Sequence, residues 1–228
     1  MDIKAHWYKR NNNVGDTLTP IIVEFFTGKE IKWVERHKQE KLLGVGSIMK
    51  ALRPQDIVWG TGIMREYDEF TIAKDCKFLA VRGKLTEKIL GVNCGVYGDP
   101  ALLLPIIYNP DIKPTKLIGY APHYINQDLF EHIEIIDVLK PYKEFIDDLL
   151  QYEKIETSSL HAFIIALVYD REVKWIKYDN RVIGDGFKFR DFGTGINLDI
   201  KEDVWYKGID NLKDIQDKLI KVLQDEYK

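Results

Sequence analysis

Cysteine is scarce in this chain, in which only Cys76 and Cys94 occur among 228 residues. They do not form a Cys-x-x-Cys pair, so neither a zinc site nor a disulfide framework is predicted. The longest apolar runs, such as residues 101–107, are far too short to cross a bilayer. Residues 1–4 also lack the basic and apolar parts of a signal peptide. We therefore expect a cytoplasmic protein in a reducing compartment.

An excess of either charge is absent as well. The 33 basic and 36 acidic residues give a net charge of −3, which excludes a bulk attraction to nucleic acid. We therefore expect no nucleic-acid partner, although a local basic cleft is compatible with this balance. A hydrophobic fraction of 45% and a charged fraction of 30% are ordinary for a folded soluble protein.

Short apolar strands alternate with helical segments on both sides of a proline-containing stretch. Strands are predicted at residues 3–8, 30–34, 42–45, 56–59, 77–81, 117–121, 133–138 and 173–178. Helices are predicted at residues 20–26, 84–90, 142–152 and 211–227, with another beginning at Leu160. This order predicts an α/β fold with two similar halves. The predicted parts are a first domain at 1–108, a linker at 109–116, a second domain at 117–197 and a C-terminal helical segment at 198–228.

Several candidate site residues follow predicted strands in the first half, where α/β sheets place ligand-binding groups. Asn13, Gly15 and Asp16 lie in the loop after the first strand, and Gly60 and Thr61 lie in a Gly-x-Gly turn. A plain turn between strand and helix, or an ordinary tight glycine turn, is the alternative interpretation.

Two charged residues of the first half also lie next to element ends. Arg82 follows a strand and precedes a helix, where it could pair with a carboxylate or phosphate. A surface arginine is the alternative interpretation. Asp99 precedes Pro100, so it is a candidate helix cap or, as a second alternative, a catalytic carboxylate.

The sequence Ser158-Ser159-Leu160-His161 precedes a strongly apolar run. A serine there can cap a helix, and the free backbone N–H groups and the helix dipole attract an anion. A capped core helix with a hydrogen-bonded histidine is the alternative.

Other candidates in the second half are His123 and Arg181, each just past a predicted strand, and Lys188 in a segment that mixes cations with aromatic residues. The alternatives are an exposed loop histidine for His123 and an amphipathic surface segment around Lys188.

Together these motifs resemble the polysaccharide pyruvyl transferases, and most closely the short bacterial branch that acts in exopolysaccharide assembly. The resemblance runs in one order from about residue 10 to about residue 195. The motifs that carry it are Asn13-Val14-Gly15-Asp16, Gly44-Val45-Gly46-Ser47, Val58-Trp59-Gly60-Thr61-Gly62, Ala80-Val81-Arg82-Gly83, Gly98-Asp99-Pro100-Ala101-Leu102-Leu103, Ala121-Pro122-His123-Tyr124 and Ser158-Ser159-Leu160-His161.

The resemblance implies a GT-B-like pair of Rossmann-like domains with the active site in the cleft. It also implies transfer of pyruvate from phosphoenolpyruvate to two hydroxyls of one sugar as a cyclic ketal, with no cofactor and no metal expected. His161 and Asp16 are the predicted catalytic residues. The predicted substrate-binding residues are Arg82, Arg181, Lys188, Ser158, Ser159, Leu160, Asn13, Gly15, Gly60, Thr61, Asp99 and His123.

The chain departs from the family pattern at two positions. Many relatives have arginine where this chain has Ser159, and Ala162 replaces the usual glycine. Next to a helix N-terminus an isolated histidine should favour its neutral form. We expect a bound dianion to reverse that preference, so that His161 is protonated when the donor is bound.

The expected partners are phosphoenolpyruvate and a glycan acceptor. Linkage of that acceptor to undecaprenyl diphosphate would bring the protein to the inner face of the cell membrane as a peripheral contact. The rival interpretations are a GT-B glycosyltransferase that uses a nucleotide sugar and a non-catalytic protein of glycan assembly. An NAD-dependent oxidoreductase is disfavoured because no Gly-x-Gly-x-x-Gly follows the first strand. The sequence makes no prediction of the oligomeric state.

Overall fold

The computed structural model describes residues 2–9, 11–70 and 75–228. Its first half is built on a parallel five-stranded sheet with the order β2-β1-β3-β4-β5. The strands of this sheet are β1 (Ile3–His6), β2 (Ile31–Trp33), β3 (Leu42–Leu43), β4 (Ile57–Trp59) and β5 (Lys77–Ala80). Because the strands are parallel, their carboxyl ends lie along one edge of the sheet.

The second half has a four-stranded sheet with the order β6-β7-β8-β9. Its first three strands are parallel, and the last pairs antiparallel with its neighbour. The strands are β6 (Lys116–Ala121), β7 (Tyr152–Thr157), β8 (Glu172–Trp175) and β9 (Trp205–Tyr206). Residues 108–115 connect the two sheets without helix or strand.

Seven α-helices are present in the described ranges. They are α1 (Leu18–Thr27), α2 (Lys84–Leu90), α3 (Leu104–Ile107), α4 (Tyr142–Leu150), α5 (Leu160–Val168), α6 (Phe187–Gly195) and α7 (Leu212–Glu226). Four 3-10 turns lie at Val14–Thr17, Met49–Ala51, Pro100–Leu103 and Tyr124–Phe130. None of the helices in this part of the chain is long and apolar enough to cross a membrane.

Two helices decide how the halves fit together. All nine residues of α5 are buried, and burial of each large apolar side chain stabilises the fold by roughly 1.5–3 kcal/mol. The last helix, α7, returns to the first sheet, where the Trp59 indole N–H donates to the Leu219 carbonyl at 3.0 Å. Gln216 on the same helix donates to the Leu102 carbonyl at 2.7 Å. Both halves thus contribute to one hydrophobic core.

The predicted α/β, GT-B-like fold with two Rossmann-like halves is confirmed. The strand predicted at residues 133–138 is wrong, because only an isolated bridge joins Ile135 to Tyr120. Strand β7, which begins at Tyr152, is not among the predicted strands because the helix predicted at 142–152 covers that residue. The helix in fact ends at Leu150.

Two further details correct the sequence analysis. The segment around Lys188 is not a surface strip but the buried helix α6, in which only Arg190 is exposed among residues 187–193. The C-terminal segment is not only helical, because its residues Trp205–Tyr206 form the antiparallel edge strand β9.

Candidate functional site

A cavity of about 340 Å³ lies where loops from the two halves meet. Its wall contains loop residues that follow the parallel strands, as expected for ligand sites in α/β sheets. The residues of the wall are Tyr8, Asn13, Asp16, Ser47, Ile48 and Met64 from the first half and His123, Tyr124, Ser159, Leu160, His161 and Lys188 from the second. We call this space the interdomain cavity.

The N-terminus of α5 faces this cavity through a short, tightly held turn. Ser159 is the N-cap in an extended conformation, and its hydroxyl accepts the Ala162 amide at 3.5 Å. The first-turn amides of a helix have no partner inside the helix, so those of Leu160 and His161 point out of the helix end. A partial positive charge therefore lies at the cavity wall.

Ser158 performs a different task from its neighbour. Its hydroxyl donates to the Asn126 side-chain oxygen at 2.9 Å and accepts the His123 amide at 2.9 Å. Asn126 is fully buried. Ser158 thus holds the loop after β6, and His123 with it, against the start of α5, and it does not line the interdomain cavity.

His161 faces a buried carboxylate. Its Nε2 lies 3.7 Å from Asp99 Oδ2, and neither atom has a hydrogen-bond partner among the described residues. The other Asp99 oxygen caps the turn at Pro100–Leu103 by accepting the Ala101 amide at 2.9 Å. Asp99 is fully buried and is the cap that the sequence suggested. It lies beside the candidate catalytic histidine but does not line the interdomain cavity.

Gly15 lies against the His161 imidazole at its Nδ1 edge and so limits the position of the ring. A Cβ atom at Gly15 would lie 1.9 Å from Nδ1 of His161 and 2.1 Å from its Cγ. Any side chain at this position would therefore occupy the space of the ring. Gly15 belongs to the 3-10 turn Val14–Thr17 that carries Asp16, so the loop after β1 places the glycine and the acid together.

The charges around the interdomain cavity perturb one another. Burial raises the pKa of Asp16, and nearby His161 and Lys188 oppose that rise. Burial and the Arg82 charge lower the pKa of Lys188 to about 8, against the attraction of Asp16. Burial, with the charges of Lys188 and His161, lowers the pKa of His123 to about 3. His123 is therefore neutral at pH 7, and Lys188 is the main cation of the wall at that pH.

Arg82 does not reach the interdomain cavity, contrary to the substrate contact predicted for it. The side chain is fully buried, and its Nε donates to Asp191 Oδ2 at 2.9 Å. Its two terminal nitrogens donate to Ser47 Oγ at 2.5 Å and to the Ile63 carbonyl at 2.6 Å. Arg82 therefore supports the cavity wall from behind, through Ser47, and links it to α6.

Arg181 also lies away from this wall. It donates both terminal nitrogens to Asp128, each at 2.8 Å, and its Nε to Asp179 at 2.6 Å. The side chain is 43% exposed. Arg181 follows β8 as predicted, but two carboxylates already bind it on the surface.

Gly60 and Thr61 have structural roles in place of the predicted substrate contacts. A Cβ at Gly60 would lie 2.3 Å from the Pro100 ring. The backbone φ of Gly60, +86°, also favours glycine. The Thr61 hydroxyl donates to the Gly46 carbonyl at 2.7 Å and accepts the Ile48 amide at 3.2 Å. Neither residue lines the interdomain cavity.

Sequence reasoning missed several residues of the wall. Tyr8 and Tyr124 each follow a strand, and Ser47 ends a Gly-x-Gly-Ser turn, so their positions carried a usable signal. Nothing local in the sequence pointed to Ile48 or Met64. Asp191, which holds Arg82, was not singled out either, because it lies 109 positions from its partner.

A comparison of the sequence with known protein families identifies the family of this chain. The profile of the family "Polysaccharide pyruvyl transferase" matches residues 36–180, more than half of the chain. The chain belongs to the polysaccharide pyruvyl transferase family. It is accordingly a transferase, and its family acts on polysaccharide with a pyruvyl group.

One relative is a viral protein. The chain is 24% identical over 216 residues to "Uncharacterized protein L143" of Acanthamoeba polyphaga mimivirus, with 84% of this chain and 73% of the viral protein covered. That name assigns no activity, and the placement in a bacterial exopolysaccharide branch stays a prediction. No solved structure matches the chain.

Proposed function

We propose that this pyruvyl transferase moves pyruvate from phosphoenolpyruvate onto two hydroxyls of one sugar in a polysaccharide or its lipid-linked precursor. The observation that carries the proposal is the interdomain cavity, where the open end of α5, His161, Lys188 and Asp16 meet. Its volume of about 340 Å³ suits a small ligand.

The donor supplies two anionic groups, a carboxylate and a phosphate. The Lys188 ammonium and the outward amides of Leu160 and His161 are complementary to such groups. Because Lys188 has a lowered pKa of about 8, it is still mostly charged at pH 7. Its burial strengthens its attraction to an anion, since little water screens it.

Ketal formation requires a defined set of proton movements. Two sugar oxygens form bonds to the central carbon of the donor, the methylene carbon gains one proton and becomes a methyl group, and phosphate leaves with the other. We assign the delivery of the methylene proton to His161, protonated when the anionic donor is bound. Asp16 is the proposed base for a sugar hydroxyl.

Asp99 is a positioning residue in this scheme. Its unpartnered Oδ2 lies 3.7 Å from the imidazole Nε2, and a small closure would convert this contact into a charge-assisted hydrogen bond. Such a bond would favour the imidazolium form of His161. The stabilised imidazolium would then supply the proton that the methylene carbon gains, and Asp16 would take a proton from a sugar hydroxyl.

The direct test uses lipid-linked and free oligosaccharides incubated with the protein and phosphoenolpyruvate. Mass spectrometry should detect the pyruvyl increment, and phosphate release should accompany it. His161→Ala should abolish both signals, whereas the matched control His132→Ala, at an exposed loop position, should keep them. Retained ketal formation in His161→Ala would remove this histidine from the mechanism.

Thermal-shift measurements separate the proposal from its closest rival. Phosphoenolpyruvate should raise the melting temperature because it binds only the folded state. Stabilisation by a nucleoside diphosphate, without any by phosphoenolpyruvate, would favour a glycosyltransferase. A lipid-linked acceptor would place the protein at the inner face of the membrane, and flotation with vesicles that carry such a lipid tests this.

A further inference from the structure

A second and larger cavity opens beside the interdomain cavity on the first half of the molecule. Its volume is about 890 Å³, at the upper end of the range for ligand sites. The two cavities share Tyr8 and Ile48 in their walls. A third cavity of about 320 Å³ adjoins the second and shares Arg36 and Lys50 with it. We call the second and third cavities together the groove.

The groove contains aromatic surface. Trp7, Tyr8 and Trp33 line it, and Tyr8 and Trp33 are 39% and 36% exposed. The Trp33 indole N–H donates to the Trp7 carbonyl at 3.0 Å. This bond holds the Trp33 ring against the segment that follows β1. Rigid, partly exposed indoles provide apolar contact area at low entropic cost. Sugar rings carry C–H groups on one face and can cover such surfaces.

The side chains that line the groove carry a net positive charge, unlike the chain as a whole. The chain has a net charge of −3, yet the groove is lined by four cations, Lys9, Arg36, Lys50 and Arg53, against two carboxylates, Glu35 and Glu69. Lys50 also pairs with Asp68 at 2.7 Å. The Lys9 ammonium lies 4.5 Å from the Trp33 ring centre and 5.2 Å from that of Trp7, so a cation lies directly on the aromatic surface. Within the described ranges Arg36 forms no ion pair.

We propose that the groove binds an extended acidic glycan, several sugars long, as the acceptor chain of the reaction. Its role as acceptor site rests on the proposed function, but binding itself does not. The aromatic residues would contact sugar rings, and Lys9, Arg36 and Lys50 would contact carboxylate or phosphate groups of the same chain. The continuity with the interdomain cavity brings one end of that chain to the donor.

The test compares three hexasaccharides of matched length with the full chain, by tryptophan fluorescence and calorimetry without phosphoenolpyruvate. They are hyaluronan hexasaccharide, which carries glucuronates, a phosphomannan hexasaccharide, and neutral chitohexaose. At least one acidic probe should bind about tenfold or more tightly than the neutral probe, since each cation of the groove contributes up to about 1 kcal/mol. The tighter acidic probe identifies the anion as carboxylate or phosphate. Equal affinity for all three would overturn the proposal.

Variants tie the binding to the groove. Arg36→Gln should weaken acidic-probe binding about two- to fivefold, whereas Arg36→Lys should retain most of the affinity. Lys213→Gln, at an exposed lysine of α7 outside the groove, should leave it unchanged. Trp33→Ala should weaken binding of all probes about fivefold, and Trp33→Phe should recover part of it. Unchanged affinity in both Arg36→Gln and Trp33→Ala would overturn the proposal.

Two outcomes separate this inference from the proposed function. The protein could bind acidic glycans in a way that depends on Arg36 and Trp33, yet show no response to phosphoenolpyruvate. This outcome would support the glycan site in the groove and contradict phosphoenolpyruvate as the donor. A response to phosphoenolpyruvate with no preference for acidic glycans would support the proposed donor and overturn the glycan site in the groove. Tighter binding of hexathymidylate than of either acidic glycan would assign the groove to nucleic acid and overturn the proposal.

Discussion

The replacement Gly15→Ala tests the site through a residue that carries no functional group. The added methyl would lie 1.9 Å from His161 Nδ1, so the imidazole must move by about 1.5 Å to restore van der Waals contact. Gly15 does not have a positive φ, so alanine is compatible with its backbone. The displacement of His161 is therefore the main expected effect.

The size of the effect follows from this overlap. Overpacking of this kind costs about 1–3 kcal/mol in the free energy of unfolding, which corresponds to about 2–4 °C of melting temperature per kcal/mol in a chain of this size. A catalytic group displaced by about 1 Å loses about a hundredfold in kcat. We therefore expect a folded protein with nearly all of its pyruvyl transfer lost.

The assay pairs thermal unfolding with phosphate release from phosphoenolpyruvate in the presence of acceptor. A double-mutant cycle supplies the control: in a His161→Ala background the ring is absent, so Gly15→Ala should destabilise far less than in the wild type. Wild-type activity in Gly15→Ala would refute the proposed position or role of His161. Equal destabilisation in both backgrounds would refute the assigned clash.

Three further outcomes are expected. The kcat/KM for phosphoenolpyruvate should fall as the pH rises through about 8, because Lys188 loses its proton there. Lys188→Arg stays charged, so it should move that fall to higher pH. An unchanged pH profile in this variant would contradict the role given to Lys188. Arg82→Ala should lower the free energy of unfolding, measured in urea, by about 3–5 kcal/mol, because it leaves the buried Asp191 carboxylate unpaired. A small loss of stability with a large rise in the KM for the donor would instead favour the direct contact predicted from the sequence. Arg181→Gln should change the KM for the donor less than about twofold, since this exposed arginine already pairs with two carboxylates. A larger change would show that Arg181 reaches the donor.

Local patterns in the sequence were sufficient for most of the fold. Alternating apolar strands and helical segments predicted all five strands of the first sheet and strands β6 and β8 of the second. The serines before Leu160 were both candidate caps of α5, and Ser159 is the cap. The errors occurred where a short pattern was ambiguous. Residues 133–138 have strand-like composition but find only one bridging partner, and β7 was hidden because the helix before it ends only two residues earlier.

The sequence could also indicate which residue types gather at the strand ends, but it could not decide which of them face the cavity. Arg82 and Lys188 are both cations next to element ends, yet Asp191 binds the first behind the wall while the second lies in the wall.

The sequence by itself thus determined the α/β fold, the family and the open helix end at His161, because these depend on periodicity, capping and motif order along the chain. Only the tertiary structure decided that Asp99 faces His161, that Gly15 confines its ring and that Arg82 is buried. Each of these depends on a contact between residues far apart in the sequence, and the burial of a charged group is a property of such partners and of the water that they exclude.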